Sequence, residues 1–85
     1  MTILIWRPSD TMMVRKVLKL SQPDIAKTLG ISKQTISLLE REKHYSIPTL
    51  VAVSVVLEKY LMESNQNQCM KESLLSIRVP LEEIL

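Results

Sequence analysis

Apolar side chains recur along most of this chain at the three- and four-residue spacings of helix faces, interrupted by serine, proline and glycine. Residues 1–8 carry a short apolar stretch ending at Pro8, either a β-strand or a flexible arm. Ser9 and Asp10 mark a helix start, and Met13, Val14, Val17 and Leu18 then share one face, with Leu20 closing the segment. Ser21 is placed to cap a second helix, with Asp24 three residues on as its capping-box partner and Pro23 in the first turn, where a missing N–H costs nothing. Ile25, Ala26 and Leu29 form its inner face and Gly30 stops it. Ser32 caps a third helix over Lys33 to about Arg41, with Ile36 and Leu39 inward. After a polar connection, Ser46 caps a fourth with Pro48 in its first turn, Leu50, Val53 and Leu57 inward, and an end near Ser64.

Beyond that point the pattern is less regular. Asn65 to Gln68 reads as a polar loop, and Met70 to Val79 as a helix or as a helix ending in a strand over Leu75 to Val79. Pro80 breaks either one, and Leu81 to Leu85 make a short last turn. Ala52, Val55 and Val56 make the fourth helix apolar outside as well as inside, so it needs cover from the C-terminal segment or from a second subunit. The expectation is an all-α, compact five-helix domain over residues 1–85, with 59–85 as a dimerisation and packing segment.

Composition narrows this picture. A chain of 85 residues has room for one domain with a marginal core, and a single glycine with no phenylalanine favours helices over a many-turned β fold. Cys69 has no disulfide partner, which fits a reducing compartment, and no apolar run is long enough for a signal peptide or a membrane span; the expected location is the cytoplasm. The five methionines read as core filler, Cys69 as an inert thiol, and Trp6 as a dimer anchor or a residue packed on the first helix. No carboxylate pair, Ser/His/Asp set, phosphate-cradling glycine loop or metal-ligand cluster is present, so an enzyme, a metal site and a cofactor are not expected. Net charge is +2, but it is unevenly spread: Arg7 to Tyr45 hold eight basic residues against four acidic, while Ser46 to Leu85 hold three against five. An electropositive first half suits a polyanion.

The segment from Ser21 to Glu40 meets the demands of a helix-turn-helix. Ala26 is small where the second helix must pass closest, Gly30 tolerates the left-handed turn, and Ile25, Leu29, Ile31, Ile36 and Leu39 can clamp the two helices. Lys33, Gln34, Thr35 and Ser37 leave the outer face of the second helix polar and rich in hydrogen-bonding groups. These residues, with "VRKVLKLSQ" before them and "SIPTLVAVSVVLE" after, resemble the Cro/phage-repressor type, or xenobiotic-response-element, helix-turn-helix family across roughly residues 9–58.

The resemblance implies a cytoplasmic repressor that binds double-stranded operator DNA as a homodimer. It places base contacts at Lys33, Gln34, Ser37 and Leu38. Lysine suits guanine, glutamine suits adenine, and leucine a thymine methyl. Phosphate contacts fall to Gln22, Ser32, Thr35, Arg41, Lys43 and His44, and a structural ion pair to Arg15 and Glu40. Where the family often has glycine after the third helix, this chain has Glu42; the family's closing helix aligns with "VPLEEIL" at 79–85. The alternative is an antitoxin-like protein whose apolar fourth helix and tail mask a partner protein, with DNA binding serving autoregulation.

Overall fold

A computed structural model describes residues 2–85; Met1, the first residue of the expected arm, lies outside the described residues. The order of elements is β1 (Leu4–Ile5), α1 (Pro8–Val17), α2 (Gln22–Leu29), α3 (Lys33–Glu40), α4 (Ile47–Glu63), α5 (Gln68–Ser76), β2 (Val79–Pro80) and a 3₁₀ turn (Leu81–Glu83). Among the described residues five α-helices make the fold all-α apart from one small antiparallel ribbon, in which Leu4 faces Pro80 and Ile5 faces Val79. Among the described residues no helix is long and apolar enough to cross a membrane.

Each helix starts for a local reason. Pro8 opens α1 with its φ already set and no amide to leave unpaired; the sequence reading had ended the arm at Pro8, but the helix begins there. Ser21, Ser32, Ser46 and Asn67 cap α2 to α5, each accepting from the backbone N–H three residues on. The Asn67 cap starts α5 inside the stretch expected as a polar loop, at Gln68 rather than Met70.

The ends of α1, α2 and α3 are built alike. Lys19, Gly30 and Glu42 adopt left-handed φ values of 59°, 69° and 57°. Each donates its N–H to the carbonyl three residues back, and the following residue donates to the carbonyl five back: Leu20 to Arg15, Ile31 to Ala26, Lys43 to Leu38. These paired bonds satisfy carbonyls the helix would otherwise leave open and turn the chain sharply. Only α2 uses glycine for it. A side chain at the other two positions costs on the order of 1 kcal/mol each.

The core contains Ile5, Trp6, Val14, Ile25, Ile36, Leu39, Leu50, Leu57 and Leu61, all essentially inaccessible. The helix α4 runs through its middle and is in contact with α1, α2, α5 and β1. Trp6 is wholly buried: its indole N–H donates to the Leu74 carbonyl at 2.8 Å and its backbone N–H to the Ser54 hydroxyl at 3.2 Å. It is therefore unavailable as a dimer anchor, since α4 and α5 already hold it. None of the four methionines among the described residues takes part in that core. Met13, Met62 and Met70 are exposed and Met12 is half-buried, because branched aliphatic side chains and one indole already occupy the inward positions. Met13 also leaves the inner face expected of it: Val14 points into the core, and one residue is about 100° around the helix.

The closing helix is α5, not residues 79–85. Pro80 is extended (φ −60°, ψ 142°) and cannot donate a helical hydrogen bond, so Val79 and Pro80 pair with β1 instead. The helix before them stops at Ser76, and strand geometry begins only at Val79. Arg78 reaches Glu58 of α4 at 3.3 Å, and the exposed Arg7 and Glu83 meet at 3.1 Å, so the C-terminal segment is tied both to α4 and to the residues before α1.

Candidate nucleic-acid interface

The helix α3 has two faces with different tasks. Ile36, Leu39 and Glu40 are buried, while Lys33 and Gln34 are exposed and Ser37 and Leu38 half-buried. Residues 33, 37 and 41, and beside them 34 and 38, follow the three- and four-residue spacing of one outward strip. Four of the five side chains are polar or charged, with Leu38 the exception. The Arg41 guanidinium folds back to donate to the Ser37 carbonyl at 3.4 Å. Lys43 and His44 follow in an exposed loop, which extends the basic character past the end of α3.

What orients that strip is a buried polar cluster beneath it. Arg15, from α1, donates to Glu40 through Nε at 2.6 Å and Nη2 at 3.0 Å, and its remaining Nη1 donates to the Leu20 carbonyl at 2.8 Å. The side chains are only 10% and 3% exposed, so the pair is bidentate and shielded from water. Gln22, the first residue of α2, donates its amide to Glu40 at 2.9 Å. One carboxylate thus ties together the end of α1, the start of α2 and the end of α3.

The residues expected at the DNA surface fall into two groups. Lys33, Gln34, Ser37, Leu38, Arg41, Lys43 and His44 share the outward strip and the loop beyond it. Gln22 stands apart, since one N–H of its side-chain amide is engaged with Glu40. Ser32 and Thr35 are bound to each other, hydroxyl to hydroxyl at 2.8 Å, while Ser32 also accepts from the Thr35 N–H at 3.1 Å. At the start of α2, Asp24 accepts from the Ser21 N–H at 2.8 Å and donates its own N–H to the Ser21 hydroxyl at 3.2 Å. The Ser21 backbone N–H, and then its hydroxyl, hold the Asp24 carboxyl below its ordinary value.

Sequence reasoning missed one feature. The left-handed caps at Lys19 and Glu42 carry no glycine to announce them; an apolar residue immediately after, as at Leu20 and Ile31, is the available signal for such a cap. The outer face of α4, expected to need cover, is only partly covered: the core takes one side, but Val55 remains 57% exposed and Met62 54%. Between α2 and α4, Leu29, Ile31, Pro48, Thr49 and Ala52 line an open groove of about 180 Å³.

A helix-turn-helix family model matches residues 12–63, more than half of the chain, and spans α2, the Gly30 turn and α3. The chain belongs to the Cro/C1-type helix-turn-helix family. Neither the curated proteins nor the solved structures contain a match. As a member of that family the chain carries the domain of a DNA-binding transcription regulator. The β1–β2 ribbon and all of α5 lie outside the matched span.

Proposed function

We propose that this chain is a sequence-specific, cytoplasmic repressor that binds palindromic operator DNA as a homodimer. The observation that carries the reading is the division of α3: an inner face locked through Glu40 to two other helices, and an outer strip in which Lys33 and Gln34 are exposed with the half-buried Ser37 and Leu38 beside them. Lys33 and Gln34 read bases in the major groove, with Ser37 and Leu38 completing the contact. Gln22, Ser32, Thr35, Arg41, Lys43 and His44 hold phosphates, which sets affinity and salt dependence. Residues 59–85 and the uncovered part of α4, with Val55 and Met62, supply the surface on which two copies meet.

The test selects binding sites from a random-sequence duplex pool and compares the wild-type chain with the Lys33→Ala, Gln34→Ala double variant. Wild type is expected to enrich paired, inverted half-sites about 10 base pairs apart. The variant is expected to lose discrimination by about 1–3 kcal/mol at each base formerly read. Identical selectivity in the two proteins overturns the base-reading assignment. A monomer alone in sedimentation at micromolar concentration, or a co-purifying partner protein without which the chain aggregates, overturns the homodimer.

A further inference from the structure

We propose that Lys19 is an additional DNA-phosphate contact, presented beside the start of α2 by the left-handed cap that ends α1. The identical backbone turn ends α2, where it uses Gly30 at φ 69°; at the end of α1 it holds a lysine at φ 59°. Glycine is the inexpensive residue for that conformation, so the lysine costs stability. The turn's backbone hydrogen bonds would form equally well with glycine, so they do not account for the lysine side chain. Lys19 is exposed, and among the described residues its ammonium makes no hydrogen bond and no ion pair. Lys16, three residues earlier and also exposed, is likewise free of an acidic partner, so two cations stand together at this end of α1.

The position of the turn is not arbitrary. Its next residue, Leu20, gives its carbonyl to Arg15 Nη1, and the same guanidinium grips Glu40 at the end of α3. Gln22 follows three residues after Lys19 and is bound to the same carboxylate. The backbone at Lys19 is therefore fixed, through two hydrogen-bonded steps, relative to both α2 and α3. A cation carried three residues before Gln22 suits a phosphate next to the one Gln22 is proposed to hold, outward from the bases read by α3. This rests on the DNA reading above.

Anisotropy of a labelled mixed-sequence duplex, titrated across KCl concentrations, tests it with five proteins: wild type, Lys19→Gly, Lys19→Arg, Lys43→Ala and Lys27→Ala. Lys27 is exposed in the last turn of α2, at the end away from Gln22, and serves as the control for net charge. Lys19→Gly is expected to raise Tm by a few degrees while making the slope of log K against log salt shallower by about 0.9 per bound protomer, or roughly eightfold in affinity near 0.1 M salt. Lys19→Arg is expected to keep the wild-type slope, and Lys27→Ala to leave it unchanged. Opposite signs for stability and binding separate a lost contact from a damaged fold. A Lys19→Gly slope equal to wild type, with Lys43→Ala shallower, overturns the Lys19 contact and leaves the DNA reading intact. Equal losses in Lys19→Gly and Lys27→Ala reduce the effect to net charge and overturn it too. Absence of binding by the wild-type chain overturns both.

Discussion

Replacing Glu40 with alanine tests whether the carboxylate at the end of α3 holds the fold together. The substitution removes the acceptor of three hydrogen bonds, two from Arg15 and one from Gln22, and strands a guanidinium in a site where the arginine side chain is 10% exposed. Charge-assisted bonds of this kind contribute roughly 1.5–3 kcal/mol apiece, and removing one partner of a buried pair costs about 3–5 kcal/mol. A domain of this size has on the order of 4–13 kcal/mol of stability in total, so the loss takes a large share of it. Thermal unfolding followed by circular dichroism is expected to show Tm lower by about 15–25 °C. Arg15→Met should cost a similar amount, because it leaves the carboxylate buried and unneutralised.

The decisive measurement is the double variant Arg15→Met, Glu40→Leu. Two apolar side chains of comparable size carry no stranded charge, so most of the stability should return, to within about 1–2 kcal/mol of wild type after the Leu20 carbonyl and the Gln22 amide lose their partners. The cycle is expected to give a coupling of at least about 2 kcal/mol. Single substitutions that each cost under about 1 kcal/mol and add without coupling would refute the reasoning: the pair would then be an ordinary solvent-screened contact. The double variant should also bind DNA less well than its stability suggests, since Gln22 loses the carboxylate that holds it.

Three further expectations follow from particular contacts. Trp6→Phe leaves the Leu74 carbonyl without its indole donor and is expected to cost about 1–3 kcal/mol, whereas Trp6→Ala, which also empties a fully buried site, should cost about 3–5 kcal/mol in urea unfolding; a Trp6→Phe variant as stable as wild type would mean the indole N–H contributes nothing. Glu42→Gly relieves a left-handed non-glycine residue and removes an anion between Arg41 and Lys43, so stability should rise by about 0.5–1 kcal/mol and duplex affinity should increase; a drop in either contradicts the assignment. The Asp24 carboxyl is depressed by the Ser21 backbone N–H, so its stabilising contribution is present above the ordinary value of 3.8 and is lost as pH falls through the lower, folded value. Asp24→Asn should flatten that acid limb of stability, and an unchanged pH profile would show that the capping box titrates silently.

Local signals were enough for the helix-turn-helix because each of its requirements is met by residues a few positions apart. Ser21 with Asp24, Ser32, and Gly30 specify helix starts and a turn through bonds within six residues of chain. The apolar positions Ile25, Leu29, Ile31, Ile36 and Leu39 announce the two faces that must meet. The caps at Lys19 and Glu42 were illegible for the converse reason: neither residue type favours left-handed φ, and the conformation is imposed by carbonyls elsewhere in the turn.

Long-range partners were decided only by the folded chain. Residues 79–85 hold apolar and acidic residues that suit a helix turn, yet Pro80 and an available edge at Leu4 and Ile5, seventy-odd residues away in sequence, draw them into a ribbon. Trp6 had several plausible partners, and the choice of Ser54 and Leu74 depends on where α4 and α5 cross it. The methionines show the same limit, because hydrophobicity alone does not say which apolar residues win the interior once branched side chains have filled it. Composition, caps and periodicity therefore determined the recognition unit, whose interactions are short in sequence. The tertiary structure decided how Arg15, Gln22 and Glu40 converge beneath it, because that convergence needs three helices packed at once.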